Sequence, residues 1–162
     1  MIYRPPVFES KICPPQDLVA RLAGMERPLV FTNGVFDLLH RGHATYLDQA
    51  RALGSSLLVA LNSDASAKRL GKGEDRPVNT LGDRAAVIAA LASVSLVTWF
   101  DEDTPLALIV LARPEVLVKG GDWKPSEMVG AREVTGWNGA VHSIPFAFER
   151  STTATLERIR GR

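Results

Sequence analysis

Five short apolar runs, rich in Val, Leu and Ile and each of strand length, alternate with segments whose apolar residues recur at helical spacing, and few folds accept that pattern. The runs cover residues 28–32, 56–61, 96–100, 116–119 and 140–144. Over residues 42–53, Tyr46, Ala50 and Leu53 fall at i, i+4 and i+7, which is one face of a helix. Leu81, Ala85, Ile88 and Ala92 repeat the pattern before the third run. Thr104 and Pro105 then read as an N-cap and first helical residue, and Pro114 closes that helix. Further helices are expected over 15–25 and 152–160. The expectation is an α/β fold, a doubly wound parallel five-stranded sheet with helices on both faces. The 162 residues suit one compact domain. Within it, 1–27 form an N-terminal extension and helix, and 28–162 form the main body. Two long connections remain. Residues 62–79, with Lys68, Arg69, Lys72 and Arg76, read as a mobile basic loop, and residues 120–139 as a second loop.

Composition narrows the function classes. With 46% hydrophobic and 23% charged residues, the chain lies far from the make-up of disordered proteins. A net charge of +1 gives no global attraction to nucleic acid or to an anionic membrane, so neither is expected as a partner and any anion site must be local. Cys13 is the sole cysteine, which excludes an internal disulfide and a cysteine-cluster metal site and suits a reducing cytoplasm. The first ten residues lack the apolar core of a signal peptide, and no apolar run approaches the ~18 residues of a membrane span. A cytoplasmic location is the expectation.

The first run leads into Thr32-Asn33-Gly34-Val35-Phe36-Asp37-Leu38-Leu39-His40-Arg41-Gly42-His43, and a helix is predicted to begin where that turn ends. In open parallel sheets, ligands gather beyond the carboxyl ends of the strands, where a helix N-terminus offers N–H groups and partial positive charge to phosphate. Gly34 allows the backbone close to a nucleotide, and Gly42 lets phosphate approach between two imidazoles. The chemistry suited to His40 and His43 is attack by an anionic oxygen on the α-phosphorus of a nucleoside triphosphate, with pyrophosphate leaving. No enzyme nucleophile is needed, because the protein aligns the partners and stabilises developing charge. Raised histidine pKa values are expected next to phosphate. Mg²⁺ is expected on phosphate oxygens and water, with no protein metal ligands, because the sequence offers no carboxylate cage. Ordinary surface histidines on a connecting loop, or a zinc site short of a third ligand, are the competing readings.

The stretch from Thr32 to Arg51 closely resembles the nucleotide-binding motif of the cytidylyltransferase-like nucleotidyltransferases. Three further segments, Gly73-Glu74-Asp75-Arg76-Pro77-Val78-Asn79, Leu117-Val118-Lys119-Gly120-Gly121-Asp122-Trp123-Lys124-Pro125 and Ser151-Thr152-Thr153, resemble the branch of that family that adenylates D-glycero-β-D-manno-heptose 1-phosphate. The resemblance runs from about residue 28 to the C-terminus. It implies a Rossmann-like fold and a reaction of ATP with the sugar 1-phosphate, giving ADP-heptose and pyrophosphate for lipopolysaccharide core synthesis. It further implies a homodimer, and a separate heptose kinase and phosphatase in the pathway. At Phe148-Glu149-Arg150 the chain departs from the glycerol phosphate cytidylyltransferases, which favours the heptose branch.

Site residues follow from the resemblance. His40, His43 and Lys72 are the catalytic candidates, Lys72 acting on the triphosphate. Thr32, Asn33, Gly34, Phe36, Gly42, Gly120, Asp122, Trp123, Ser151, Thr152 and Thr153 are nucleotide-binding candidates, with Asp122 on the ribose hydroxyls and Trp123 walling the pocket. Asp37, Arg76 and Arg84 are candidates for the substrate phosphate. Solvated surface charges, ion pairs of the two arginines with Asp75 or Asp83, and helix capping by the Ser-Thr-Thr hydroxyls stand as alternatives. Trp99, Trp137 and Phe146 are read as packing residues and His142 as structural. Two other functions stay open: a CTP-dependent cytidylyltransferase acting on glycerol 3-phosphate or an aminoalcohol phosphate, and an inactive nucleotide-binding regulatory module.

Overall fold

The computed structural model describes residues 4–71, 73, 75–148, 152–159 and 161. Strands β1 (Leu29–Gly34), β2 (Ser56–Asn62), β3 (Leu96–Phe100), β4 (Val116–Gly120) and β5 (Ala140–Ile144) lie on the predicted runs. They form one all-parallel sheet in the order β3-β2-β1-β4-β5. The helices are α1 (Leu18–Leu22), α2 (Arg41–Arg51), α3 (Asp64–Arg69), α4 (Leu81–Ala89), α5 (Leu106–Ala112), α6 (Ala131–Gly136) and α7 (Thr152–Ile159). Among the described residues no helix is long and apolar enough to cross a membrane.

Alternation along the strands feeds two apolar layers. Val30 of β1 joins Leu47 and Ala50 of α2 and Ile88 of α4 on one face, whereas Leu29 and Phe31 join Leu18 of α1, Ile109 of α5 and Val134 of α6 on the other. Interior strand β2 is buried at every position, as a parallel strand covered on both faces must be. The N-terminal extension shares this packing. Cys13 and Leu18 are fully buried, and the Cys13 N–H donates to the Val97 carbonyl at 2.8 Å, which lengthens the sheet past β3.

Both connections expected to be loops contain helix. Ser63 caps α3 by accepting from the Ser66 N–H, with Asp64 in the first turn and Lys68 and Arg69 in the last, an arrangement that suits the helix dipole. The density of charge concealed that capping signal. In the second connection, α6 is held by burial of Ala131 and Val134. The start of α5 shifts by one residue from the expectation, with Pro105 in the capping position and no side-chain cap.

The order of strands places a switch point between β1 and β4. These two are in register at Val30–Val116 and Phe31–Leu117, while β1 and β2 stay paired as far as Gly34–Leu61. The carboxyl ends of β1 and β4 therefore border a crevice, the usual ligand site of this architecture. Tyr46 of α2 reaches into the parting. Its hydroxyl shares a short hydrogen bond with Thr32 Oγ1 of β1 and donates to the Val118 carbonyl of β4 at 3.3 Å. Burial pushes its phenol well above the ordinary value, so it stays protonated and able to donate. Tyr46→Phe is expected to destabilise the fold by about 1–2 kcal/mol, because Thr32 and Val118 lose a buried partner. Urea unfolding of the two proteins checks this, and equal midpoints would remove the hydroxyl from its bridging role.

Candidate functional site

Helix α2 begins directly after His40, whose own backbone is extended, and no side chain caps the helix among the described residues. The His43 N–H donates to the His40 carbonyl at 3.0 Å, and the helix start lacks the usual hydroxyl or carboxylate acceptor among the described residues. The rings of His40 and His43 stack with centroids 3.9 Å apart and planes inclined by 20°. Gly42 makes the stack possible: a Cβ there would lie 3.0 Å from His40 Nδ1 and 3.1 Å from Cε1. Phe36 meets the His43 ring edge-on at 5.2 Å. Phe36 holds a φ of 48°, which a non-glycine residue adopts at a cost, and is nearly buried, so it braces His43 from behind.

Phe146 departs from the packing role expected for it. It is 44% exposed and stands edge-on to both His43, at 6.3 Å, and Tyr46, at 5.8 Å. Gly120 lies beneath it, where a Cβ would come within 2.7 Å of the ring. Gly120 thus admits the aromatic wall. Trp99 and Trp137 do pack against the core, with Trp137 Nε1 donating to the Pro114 carbonyl at 2.9 Å. His142 is exposed on edge strand β5.

The raised values expected beside phosphate concern a bound anion; the protein's own groups lower the His43 pKa to about 4, first by burial and then by neighbouring His40, against the favourable backbone hydrogen bond at Leu38. By those groups alone His43 is a neutral imidazole at neutral pH. A triphosphate would supply the missing negative charge and favour protonation.

A cavity of about 340 Å³ opens at the carboxyl ends of β1 and β4. Asn33 and Gly34 line it, as expected of nucleotide-motif residues, together with Trp123 and Lys119. Asn62 at the end of β2, Asp103 and Thr104 ahead of α5, and Met128 ahead of α6 are also in its wall. The sequence did not single out Lys119, which stands one residue before the end of β4. Its Nζ sits 3.7 Å from the centre of the Trp123 ring. Asp122 is exposed beside it. Among the described residues no three His, Cys, Asp or Glu groups converge to hold a metal ion.

Four predicted ligands have structural work instead. Thr32 is fully buried, and its hydroxyl is engaged by Tyr46. Asp37 is almost fully buried: its carboxylate accepts from Arg76 Nε at 2.8 Å and from the Val78 and Asn79 N–H groups at 2.8 and 3.0 Å. A carboxylate so occupied fixes the connection after residue 75 against the histidine turn, and it has no reason to contact phosphate. Arg76 is spent largely on the same pair, at 9% exposure. Arg84 is enclosed, donating to the carbonyls of Asn79 at 3.1 Å, Val35 at 2.7 Å and Asn62 at 2.9 Å and to the Asp64 carboxylate at 2.7 Å. Its ion-pair partner is therefore Asp64, which the sequence did not suggest. Lys72 and Ser151 lie outside the described residues. Thr152 and Thr153 open α7, and their side chains are likewise outside the description.

Comparison with known proteins agrees with this geometry. Residues 31–158 match the family model described as cytidylyltransferase-like. The chain is 57% identical to a D-beta-D-heptose 1-phosphate adenylyltransferase from Bordetella bronchiseptica, over 94% of this chain and 96% of that one. It is 52% identical over 82% of its length to the bifunctional protein HldE of Hahella chejuensis, of which it spans 28%. Among solved structures, a lipopolysaccharide core biosynthesis protein from Thermoplasma volcanium superposes with a TM-score of 0.60 at 25% identity, covering 75% of this chain and 98% of that one. A pantoate-beta-alanine ligase from Francisella tularensis, at 13% identity, shares the fold with a TM-score of 0.58 over 88% of this chain and 68% of its own.

Two measurements test the site's construction. Arg84→Met is expected to cost roughly 3 kcal/mol in denaturant unfolding, since it strands several buried acceptors at the strand ends. A loss below about 0.5 kcal/mol would show that water or neighbouring donors satisfy them. For His43, the unfolded chain takes up a proton near pH 6.5 that the folded protein resists until about pH 4. The depressed folded pKa makes this contribution whole above pH 6.5 and erodes it as pH falls toward 4. The drop in Tm between pH 7 and pH 5 is therefore expected to be smaller for His43→Gln than for the parent protein, and equal drops would contradict the depressed pKa.

Proposed function

The chain belongs to the cytidylyltransferase-like family and is a nucleotidyltransferase, and from that premise we propose that it transfers AMP from ATP to D-glycero-β-D-manno-heptose 1-phosphate, releasing pyrophosphate and forming ADP-heptose. One observation carries the reading: two stacked imidazoles at an uncapped helix N-terminus, beside the crevice between β1 and β4. The names of the Bordetella relative and of the Thermoplasma structure support the sugar phosphate and the lipopolysaccharide setting.

In the proposed reaction, an oxygen of the acceptor's phosphate forms a bond to the α-phosphorus as the bridging P–O bond to the β-phosphorus breaks, and the electron pair leaves with pyrophosphate. The acceptor oxygen is already ionised, so no base is required. His40, His43 and the first N–H groups of α2 are assigned to hydrogen bonds with the donor's phosphate oxygens, where negative charge grows in the transition state. Stacking fixes the two rings relative to each other before the nucleotide arrives, so little reorganisation is needed. Magnesium is assigned to the triphosphate as part of the substrate, since phosphate oxygens and water are the hard ligands it takes.

Pyrophosphate release should be greatest with ATP and heptose 1-phosphate in a panel of four nucleoside triphosphates and several phosphorylated acceptors. Turnover confined to CTP with glycerol 3-phosphate or an aminoalcohol phosphate would replace the heptose assignment. His43→Ala is expected to lower kcat by about a hundredfold while changing nucleotide affinity far less, because its contact strengthens in the transition state. Equal losses in kcat and in affinity would make it a ground-state binding residue.

A further inference from the structure

We propose that the ring of Phe146 is the platform on which the donor's nucleobase stacks, and that Gly120 is the positioning residue that leaves room for that ring. The inference rests on the nucleotidyltransferase reading and deepens it by naming the residue that holds the base.

An aromatic side chain left open to water forgoes hydrophobic stabilisation, so one that is both open and firmly placed calls for a reason. Phe146 keeps 44% of its surface exposed, yet three contacts fix its ring. It meets His43 edge-on at 6.3 Å and Tyr46 at 5.8 Å, and its far edge lies against Gly120 and Gly121 at the end of β4. A Cβ on Gly120 would stand 2.7 Å from Cζ and 2.9 Å from Cε1, closer than carbon atoms pack, whereas one on Gly121 would meet Cε2 at an ordinary 3.7 Å. Gly120, which the sequence suggested as a nucleotide ligand, therefore serves the nucleotide through the ring it admits.

What such a ring recognises follows from its chemistry. Phe146 offers a flat π surface with no hydrogen-bonding atom, and the partner that matches it is another flat π surface. Of the two substrates only the nucleotide carries one. The acceptor is a polyhydroxylated ring, and groups that suit hydroxyls, Asn33, Asn62, Asp103 and Thr104, stand instead in the wall of the 340 Å³ cavity. Position agrees with this division. Phe146 follows β5, the neighbour of β4, whereas Asn62 ends β2 and Thr104 precedes α5. Its contact with His43 sets it beside the imidazoles assigned to the phosphates, so a donor held there lays its base along the β4–β5 side of the switch point. Every base has a π face, and stacking therefore supplies affinity while leaving the choice among bases to other groups.

Isothermal titration with α,β-methylene ATP, which cannot be cleaved at the reacting bond, and with its cytidine counterpart tests this. Phe146→Leu is expected to weaken the preferred analogue by about tenfold, and Phe146→Trp, which keeps a π face, to recover at least part of the loss. Heptose 1-phosphate, titrated with the analogue at saturation, should bind the parent and both variants alike. Gly120→Ala should lose about as much as Phe146→Leu, and the double variant no more than either single one, because both changes act through one ring. A Phe146→Leu protein that binds the analogue normally overturns the proposal, as does a Phe146→Trp protein that binds it no better than Phe146→Leu. A loss confined to heptose 1-phosphate would also overturn it and give the ring to the acceptor sugar. Losses that add in the double variant would remove the positioning role of Gly120. A parent that binds neither analogue overturns the platform and the choice of ATP together. One that prefers the cytidine analogue, and loses it in Phe146→Leu, sustains the platform while overturning the choice of ATP.

Discussion

The hydroxyl of Tyr46 occupies the point where β1 and β4 separate, and the crevice exists in its observed form because something polar can sit there. Parallel strands that diverge leave backbone and side-chain polar groups without ladder partners, and a buried group left so is costly. Tyr46 answers Thr32 on one strand and Val118 on the other, and it belongs to the helix whose first turn carries the histidines. The same residue that satisfies the split also sets α2 against it. Gly120 and Phe146 pack on its ring, so the aromatic wall of the site inherits its position from this contact.

A second constraint works at the ends of β1 and β2. Arg84 gathers the Val35, Asn62 and Asn79 carbonyls, and Asp37 gathers the backbone N–H groups of Val78 and Asn79. Asn79 is held by both, and its side chain donates in addition to the Asp37 carbonyl at 2.7 Å. A buried guanidinium and a buried carboxylate thus fasten the turn after β1 to the connection before α4. Charges enclosed in this way give rigidity to the site's rim. They are occupied within the protein, each by several partners.

Burial and the neighbouring ring hold the His43 pKa down to about 4, so the two imidazoles stack without repulsion between two imidazolium ions. Stacking and low proton affinity are therefore two aspects of one arrangement, because each ring both covers its neighbour and opposes its protonation.

Much of this protein was legible in the chain itself. The alternation of short apolar runs with segments of helical period pointed to the parallel sheet, since such runs suit strands covered by helices, and the histidine pair after the first run marked the end of the sheet where a ligand was expected. Helix α3 was hidden because Lys68 and Arg69 suggested solvent, although Ser63 and Asp64 carried its capping signal. What the tertiary structure alone decided was which charged residues face inward. Asp37, Arg76 and Arg84 looked like phosphate ligands because a sequence shows charge without showing partners, and their partners, reaching as far as Val35, Asn62 and Asp64, come together only when the strand ends assemble. The cavity was hidden for the same reason, because its walls come from the ends of β1, β2 and β4 and the residues ahead of α5 and α6, a juxtaposition fixed by packing and by no local spacing.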